Sequence, residues 1–237
     1  MSDFEFQPPK VGSTGCTHSD QGDSRYPMVS FSPAWGSYAN VGCKRFMDIV
    51  GSAITMIILS PLYLALMIAV KLSSPGPVFY RWRVVGKRGR PFIGYKFRSM
   101  VPDADRLKSE LESLNEMDGP VFKLTNDPRI TSLGAWMRRH SLDELPQLYS
   151  VLKGDMSLVG PRPPLVTEYV RFNDFQKQKL TVKPGVTCLW QINGRNEVKD
   201  FDDWVRLDLE YIRSWSPKLD LWILLKTLGE VFAGSGR

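Results

Sequence analysis

The sequence predicts an α+β protein, mostly helical and monotopic, with one re-entrant membrane hairpin, a small β-hairpin and interfacial amphipathic helices. Three observations carry this reading. The first is residues 49–70, IVGSAITMIILSPLYLALMIAV, a run of 22 residues without a charge and with Ser60-Pro61 in its middle. As one straight helix it is roughly 33 Å long, enough to cross a hydrocarbon core. The second is charge on both flanks: Lys44 and Arg45 before the run, and Lys71, Arg81, Arg83, Lys87 and Arg88 after it. Lys/Arg-rich flanks stay in the cytoplasm, so one straight span cannot satisfy both. A helix that enters, bends at Ser60-Pro61 and returns does satisfy both. Proline removes a backbone hydrogen bond and kinks the helix, and the Ser60 hydroxyl is placed to bond a freed carbonyl. A kinked full span is the competing reading, since spanning helices tolerate proline. The third is that the remainder reads as short helices and turns, with one pair of strand-like segments.

Residues 1–43 are rich in Gly, Ser, Pro, Asp and Gln and read as a flexible tail. Residues 44–72 form the hairpin, and 73–237 a domain on the cytoplasmic side. Ser73-Ser74-Pro75-Gly76-Pro77 ends any helix. Segments 78–82 and 91–100 read as two strands joined by a turn. Leu107, Leu111 and Leu114 recur with helical spacing in the charged segment 103–117, which predicts an exposed amphipathic helix. Short helices are expected over 131–139 and 141–153. Segment 156–164 contains Pro161-Arg162-Pro163-Pro164 and must be extended or looped. A helix is expected over 165–180, turns at Lys183-Pro184-Gly185 and Asn193-Gly194-Arg195, and helices over 200–214 and 218–232. The last carries Leu219, Leu221, Trp222, Ile223, Leu224, Leu225 and Leu228, apolar enough to lie on a membrane.

The formal charge of +6 is unevenly placed. Segment 71–102 holds eight basic residues and no acidic one, interleaved with six aromatic residues. That mixture, next to a membrane segment, suits an anionic lipid surface or a phosphorylated substrate. No nucleic-acid-binding motif accompanies it, so a nucleic-acid partner is not expected. Cys16, Cys43 and Cys188 stand apart from one another, which argues against a disulfide framework or a zinc site. With only His18 and His140, composition argues against a histidine-based metal site or a Ser-His-Asp triad.

Four places could carry chemistry. Asp143 and Glu144 are adjacent carboxylates after Arg138-Arg139-His140. Neighbours on a helix point about 100° apart, so they divide labour, one attacking or moving a proton and the other holding a cation. The plainer reading is a capping box from Ser141 to Glu144, which Pro146 makes awkward. Lys96 and Arg98 alternate on a strand and would share one face, either as a phosphate clamp or as a solvated surface. Pro161-Arg162-Pro163 fixes where an arginine points, for a phosphate or as a stiff linker. Trp190 and Arg195, after the turn at Pro184-Gly185, add an indole and another cation.

Taken together, KRFMDIV, the apolar run with Ser60-Pro61, YKFRSM, DPRIT, SLDELPQL, LKGDMSLVGPRP, KPGVTCLWQINGR and LDLEYI occur in this order. From Lys44 onward the chain resembles the bacterial sugar transferases, the monotopic polyprenyl-phosphate phosphoglycosyl transferases, in their minimal catalytic form. The resemblance implies that 73–237 is a catalytic domain at the cytoplasmic face of the bacterial inner membrane. It would transfer a hexose 1-phosphate from a UDP-sugar to undecaprenyl phosphate, releasing UMP, at the first membrane step of exopolysaccharide, capsule or O-antigen assembly. It implies Asp143 as nucleophile, Glu144 as partner at Mg²⁺, and Asp208 as a further metal carboxylate. It also implies Lys96, Arg98, Arg138 and Arg195 as phosphate contacts and Pro161, Arg162 and Pro163 as nucleotide contacts. Lys44, Arg45, Ser60 and Pro61 would define the membrane hairpin. Membrane lipids are implied partners, and homodimerisation is left open. Cys188 departs from the glycine usual in the family's PGITG segment, which puts local loop geometry in question. The rivals are a non-catalytic membrane scaffold and a multi-span glycosyltransferase; a single apolar run argues against the latter.

Overall fold

A computed structural model of the protein describes residues 30–192, 200–234 and 236. Most of the expected tail, and Arg195, lie outside these residues. Where the tail meets the described chain it is ordered. A short 3-10 turn, Pro33–Gly36, stacks Trp35 on Trp215 at 4.0 Å between ring centroids. Helix α1 (Tyr38–Ile58) then starts before Lys44, with the Ser37 hydroxyl accepting from the Asn40 N–H.

Leu59 separates α1 from α2 (Ser60–Ser73), and Pro61 falls in the first turn of α2, where its missing N–H costs least. The chain axis bends by 65° between α1 and α2, and among the described residues no single helix is long and apolar enough to cross a membrane. Proline thus breaks the run where expected. Ser60 does not help in the way expected: its side chain is exposed and bonds no carbonyl. The bend presents bare apolar side chains, with Ile57 73% and Ile58 69% exposed.

Strands β1 (Phe79–Val85) and β2 (Pro91–Phe97) pair antiparallel, from Phe79 opposite Phe97 to Val85 opposite Pro91. Trp82 lies across Gly94 so closely that a Cβ there would fall 2.4 Å from the indole Nε1. Only glycine fits. Helix α3 (Ala104–Glu110) is shorter than its leucine spacing suggests and ends in a 3-10 turn, Glu112–Leu114. Helix α4 (Ser132–Arg139) is capped by Thr131, whose hydroxyl accepts from the Gly134 N–H at 3.0 Å. The expected helix over 141–153 is divided. A 3-10 turn, Leu142–Glu144, precedes α5 (Gln147–Lys153), because Pro146 cannot continue a helix begun at Ser141.

Strand β3 (Ser157–Val159) pairs parallel with β4 (Gly185–Thr187). The expected helix over 165–180 is two single turns, α6 (Val166–Tyr169) and α7 (Asp174–Lys177), followed by a 3-10 turn. Asn173 caps α7 and so starts a new helix rather than continuing the old one. Helix α8 (Leu189–Ile192) is again one turn. Helices α9 (Phe201–Ser214) and α10 (Pro217–Ala233) close the fold, capped by Asp200 and Ser216.

The main core gathers Trp190, Trp215, Tyr211, Leu209, Ile212 and Ile223. A smaller core packs Leu66 and Val70 of α2 against Phe97 of β2 and Met137 of α4, with Leu142 and Leu145 beside them. The hairpin is also tied to the domain by charge. Lys44, 8% exposed, donates to Asp220 Oδ2 at 2.6 Å, to Tyr211 Oη at 3.2 Å and to the Val159 carbonyl at 3.0 Å. Tyr211 and Trp215 donate to the same Asp220. Arg45 donates to the carbonyls of Val151 and Leu152 at the end of α5. Both Lys44 and Arg45 therefore hold α1 against the rest of the fold.

Candidate active site

The smaller core places the carboxylate pair. Asp143 and Glu144 ride on the 3-10 turn above α2, and Tyr63 of α2 donates to the Leu145 carbonyl at 2.6 Å. Ser141 opens the turn in the left-handed region, at φ 53°. A non-glycine residue is costly there, by about 1–3 kcal/mol, and persists only when its surroundings fix it. The capping box is not formed, since the Ser141 side chain caps no N–H. The turn serves to aim carboxylates, not to start a helix.

Asp143 is only 5% exposed. Glu144 pairs with Lys96 at 2.6 Å, both side chains largely covered. The Lys96 ammonium also sits 4.4 Å from the Trp82 ring centroid. Arg138 donates from Nε to Ser99 Oγ at 3.0 Å. Burial draws its guanidinium below the usual arginine range, and Asp143, Asp127 and Glu144 oppose that shift. The guanidinium stays charged, as arginines do. Lys96 and Arg138 both line a cavity of about 850 Å³. The dyad thus stands directly behind two cations that face the cavity.

Further cations converge there. Arg129 lines the cavity and is gripped by Asp127 at 2.6 Å. Burial raises the Asp127 carboxyl pKa, but its hydrogen bonds from Arg129 outweigh this and hold it below the usual range. Arg162 and Pro163 form another part of the wall. The proline ribbon is pinned on two sides: Gly185 N–H donates to the Pro161 carbonyl at 3.0 Å, and Val85 N–H to the Pro164 carbonyl at 3.0 Å. Arg162 therefore projects from a backbone fixed by β4 and β1. Trp190 and Trp204, stacked at 4.3 Å between centroids and 5° from parallel, complete the wall. Sequence reasoning noticed Trp190 but not its partner. The 13 residues between them carry no local signal of the stack.

Two expected residues have different surroundings from those anticipated. Strand β2 ends at Phe97, so Arg98 leaves the strand alternation that would align it with Lys96. Its Nη2 donates to the carbonyls of Val70 and Ser74, closing the end of α2, although the residue still borders the cavity. Asp208, expected at a metal, is fully buried and ion-paired with Lys179 at 2.6 Å. Like Asp143 and Glu144, it is not among the residues lining the cavity; unlike that of Glu144, its ion-pair partner does not line it either. Burial raises its carboxyl pKa, with Lys179 and then Arg162 opposing. Asp208 bears on the site through the charge of Arg162. Cys188 is buried, its N–H donating to Gln191 Oε1 at 3.0 Å. Among described non-glycine residues only Arg88 and Ser141 have positive φ, so cysteine is unstrained at 188.

Among the described residues no three His, Cys, Asp or Glu side chains group as a metal cage. Mg²⁺ takes one or two carboxylates together with substrate phosphates and waters. Asp143 and Glu144 are the two carboxylates next to the cavity's cations Lys96, Arg129, Arg138 and Arg162.

The family model for bacterial sugar transferases matches residues 39–234. The chain belongs to the bacterial sugar transferase family. The galactosyl transferase CpsE of Streptococcus agalactiae is 46% identical over 211 residues, covering 89% of this chain and 47% of that protein. The undecaprenyl-phosphate galactose phosphotransferase of Salmonella typhimurium is 46% identical, covering 81% and 41%. The exopolysaccharide production protein ExoY of Rhizobium meliloti is 40% identical, covering 81% of this chain and 87% of that protein. The chain thus spans under half the length of the first two relatives and most of the third. The matched region contains the dyad turn and all of the α1–α2 pair except Tyr38.

Proposed function

We propose that this chain transfers a hexose 1-phosphate from a UDP-hexose to undecaprenyl phosphate, starting a surface glycan at the cytoplasmic face of a bacterial inner membrane. The observation that carries it is the Asp143–Glu144 turn, set behind Lys96 and Arg138 at the edge of a cationic cavity. Transferase names among the relatives support the reaction class, and galactose in two of those names supports an unacetylated hexose.

In this reading an Asp143 oxygen attacks the sugar-bearing phosphorus of the donor. A new P–O bond forms as the bond to the bridging oxygen breaks, and UMP carries away the electron pair. Arg138 and Lys96 stabilise the charge that builds on the phosphoryl oxygens. Arg162, on its pinned ribbon, orients the nucleotide phosphate. A phosphate oxygen of the polyprenyl acceptor then attacks the same phosphorus and frees Asp143, giving a polyprenyl diphosphate hexose. Glu144, beside Asp143, would hold Mg²⁺, which would supply neutralising charge for the diphosphate.

UMP release from a panel of UDP-sugars, with undecaprenyl phosphate and Mg²⁺ in detergent, tests this directly. Release with one hexose, lost on adding EDTA, is expected. Folded protein that releases no UMP from any UDP-sugar would overturn the reaction.

The same reading makes α1–α2 a re-entrant pair. Cys43 and a cysteine at Ser74→Cys, in a background lacking Cys16 and Cys188, are expected to react with an impermeant maleimide from the same side. Pro61→Ala, which restores the missing N–H, is expected to send position 74 to the opposite side. Labelling of the two flanks from opposite sides in the Pro61 protein would establish a full span instead.

A further inference from the structure

A second cavity, of about 350 Å³, lies between the β1–β2 turn and the end of α5. Lys87, Arg88, Arg90 and Lys183 line it, with Asp155 as its one acid. Arg45 reaches its margin. Gly154, at φ +97°, borders the cavity, and a Cβ there would stand 3.4 Å from Arg45 Nη2 and 3.7 Å from Lys183 Nζ. Asp155 is already matched, its Oδ2 lying 3.0 Å from Lys153 Nζ. Among the described residues none of Lys87, Arg88, Arg90 or Lys183 forms an ion pair. Burial, followed by Arg45, lowers the Lys183 pKa, and burial followed by Arg88 lowers that of Lys87. Arg88 is itself held at φ 59°, a conformation that non-glycine residues avoid. Four cations, three of them exposed on a constrained turn, surround a concavity whose one carboxylate is already held by Lys153, which leaves the cleft a net positive charge suited to an anion.

The position selects the source of that anion. Arg45 lies four residues before the apolar run, about 6 Å along the helix axis from its first residue. The cavity therefore opens near the level at which the hairpin arm enters lipid. We propose that this cleft binds the headgroup phosphate of an anionic phospholipid and so fixes the orientation of the domain on the membrane. The proposal rests on the membrane-face reading of α1–α2, and is independent of the chemistry assigned to Asp143.

The test uses the full chain in neutral-detergent micelles carrying phosphatidylglycerol, with bound lipid counted by native mass spectrometry. Each cation near an anionic headgroup contributes roughly fivefold. Lys87→Gln with Arg90→Gln is therefore expected to weaken phosphatidylglycerol binding about 25-fold. The charge-matched pair Lys177→Gln with Arg206→Gln, on α7 and α9 and away from the cleft, α1–α2 and α10, is expected to stay within about threefold of the parent. Equal losses in the two pairs would reduce the effect to general charge and overturn the cleft. Inorganic phosphate that displaces the lipid at equal concentration would show a site for soluble phosphate and overturn the lipid assignment. UMP release in detergent without anionic lipid is expected to be unchanged in the cleft variant, which shows that it folds. If the parent itself released no UMP, the transferase reading would fail while the lipid counts still judged the cleft.

Discussion

Asp143→Asn is expected to lower UMP release by at least about 10⁴-fold, the scale on which loss of a covalent nucleophile is felt. The carboxamide has almost the volume of the carboxylate, but its oxygen is a far weaker nucleophile toward phosphorus. Folding should survive. The residue is 5% exposed, and the main loss is one anion beside Arg138, which keeps Asp127 and Glu144 in its field. The variant should therefore unfold within a few degrees of the parent and still bind UDP-hexose. Two measurements check this. Single-turnover UMP release reads the chemistry, and intact-protein mass after mixing with donor alone reads the phosphosugar adduct. The adduct is expected in the parent and absent in the variant. Activity within tenfold of the parent would remove Asp143 as nucleophile and direct attention to Glu144.

Lys44→Met should act on the fold instead. Lys44 and Asp220 meet at 2.6 Å with side chains 9% and 4% exposed. Removing one partner of a buried pair strands the other charge, at a cost of about 3–5 kcal/mol. Tyr211 and Trp215 continue to donate to Asp220, which favours the lower end of that range. Adding Asp220→Asn removes the stranded charge and is expected to recover part of the loss, a coupling that a double-mutant cycle reads directly. Chemical denaturation in one fixed detergent supplies the four free energies. A single-variant loss below about 1 kcal/mol would show that water reaches the pair and that it does not anchor the hairpin.

What was legible in the sequence follows the range of the physics. The break at Pro61 needs only proline chemistry, and the β1–β2 hairpin only local alternation, so both are read correctly. Asp143 and Glu144 stand out as adjacent carboxylates after Arg138 and Arg139, but their spacing alone reads as a helix cap, and only the family resemblance gives them a role. The pairing of Lys96 with Glu144 joins positions 48 apart in sequence, and that of Lys179 with Asp208 hides a carboxylate in the core. No short window reports either one. Strands β3 and β4 have three residues each, too few to show a period. The helix expected over 165–180 failed because Asn173 prefers to bond the Gln176 N–H, so the chain restarts there. Ser141 misled for a related reason. Its sequence is that of a helix cap, but Pro146 forbids the helix it would cap, and the turn closes on itself instead.

The bond from the Tyr63 hydroxyl to the Leu145 carbonyl links the second arm of the hairpin to the backbone just beyond Asp143. A thicker or thinner bilayer tilts a short apolar arm to match its length. If α1–α2 enters the bilayer as proposed, this bond would pass the tilt to the carboxylates as a vertical displacement relative to the plane of the proposed acceptor's phosphate. Transfer rate would then gauge bilayer thickness, peaking in membranes that hold the arm at its resting angle and falling off on either side.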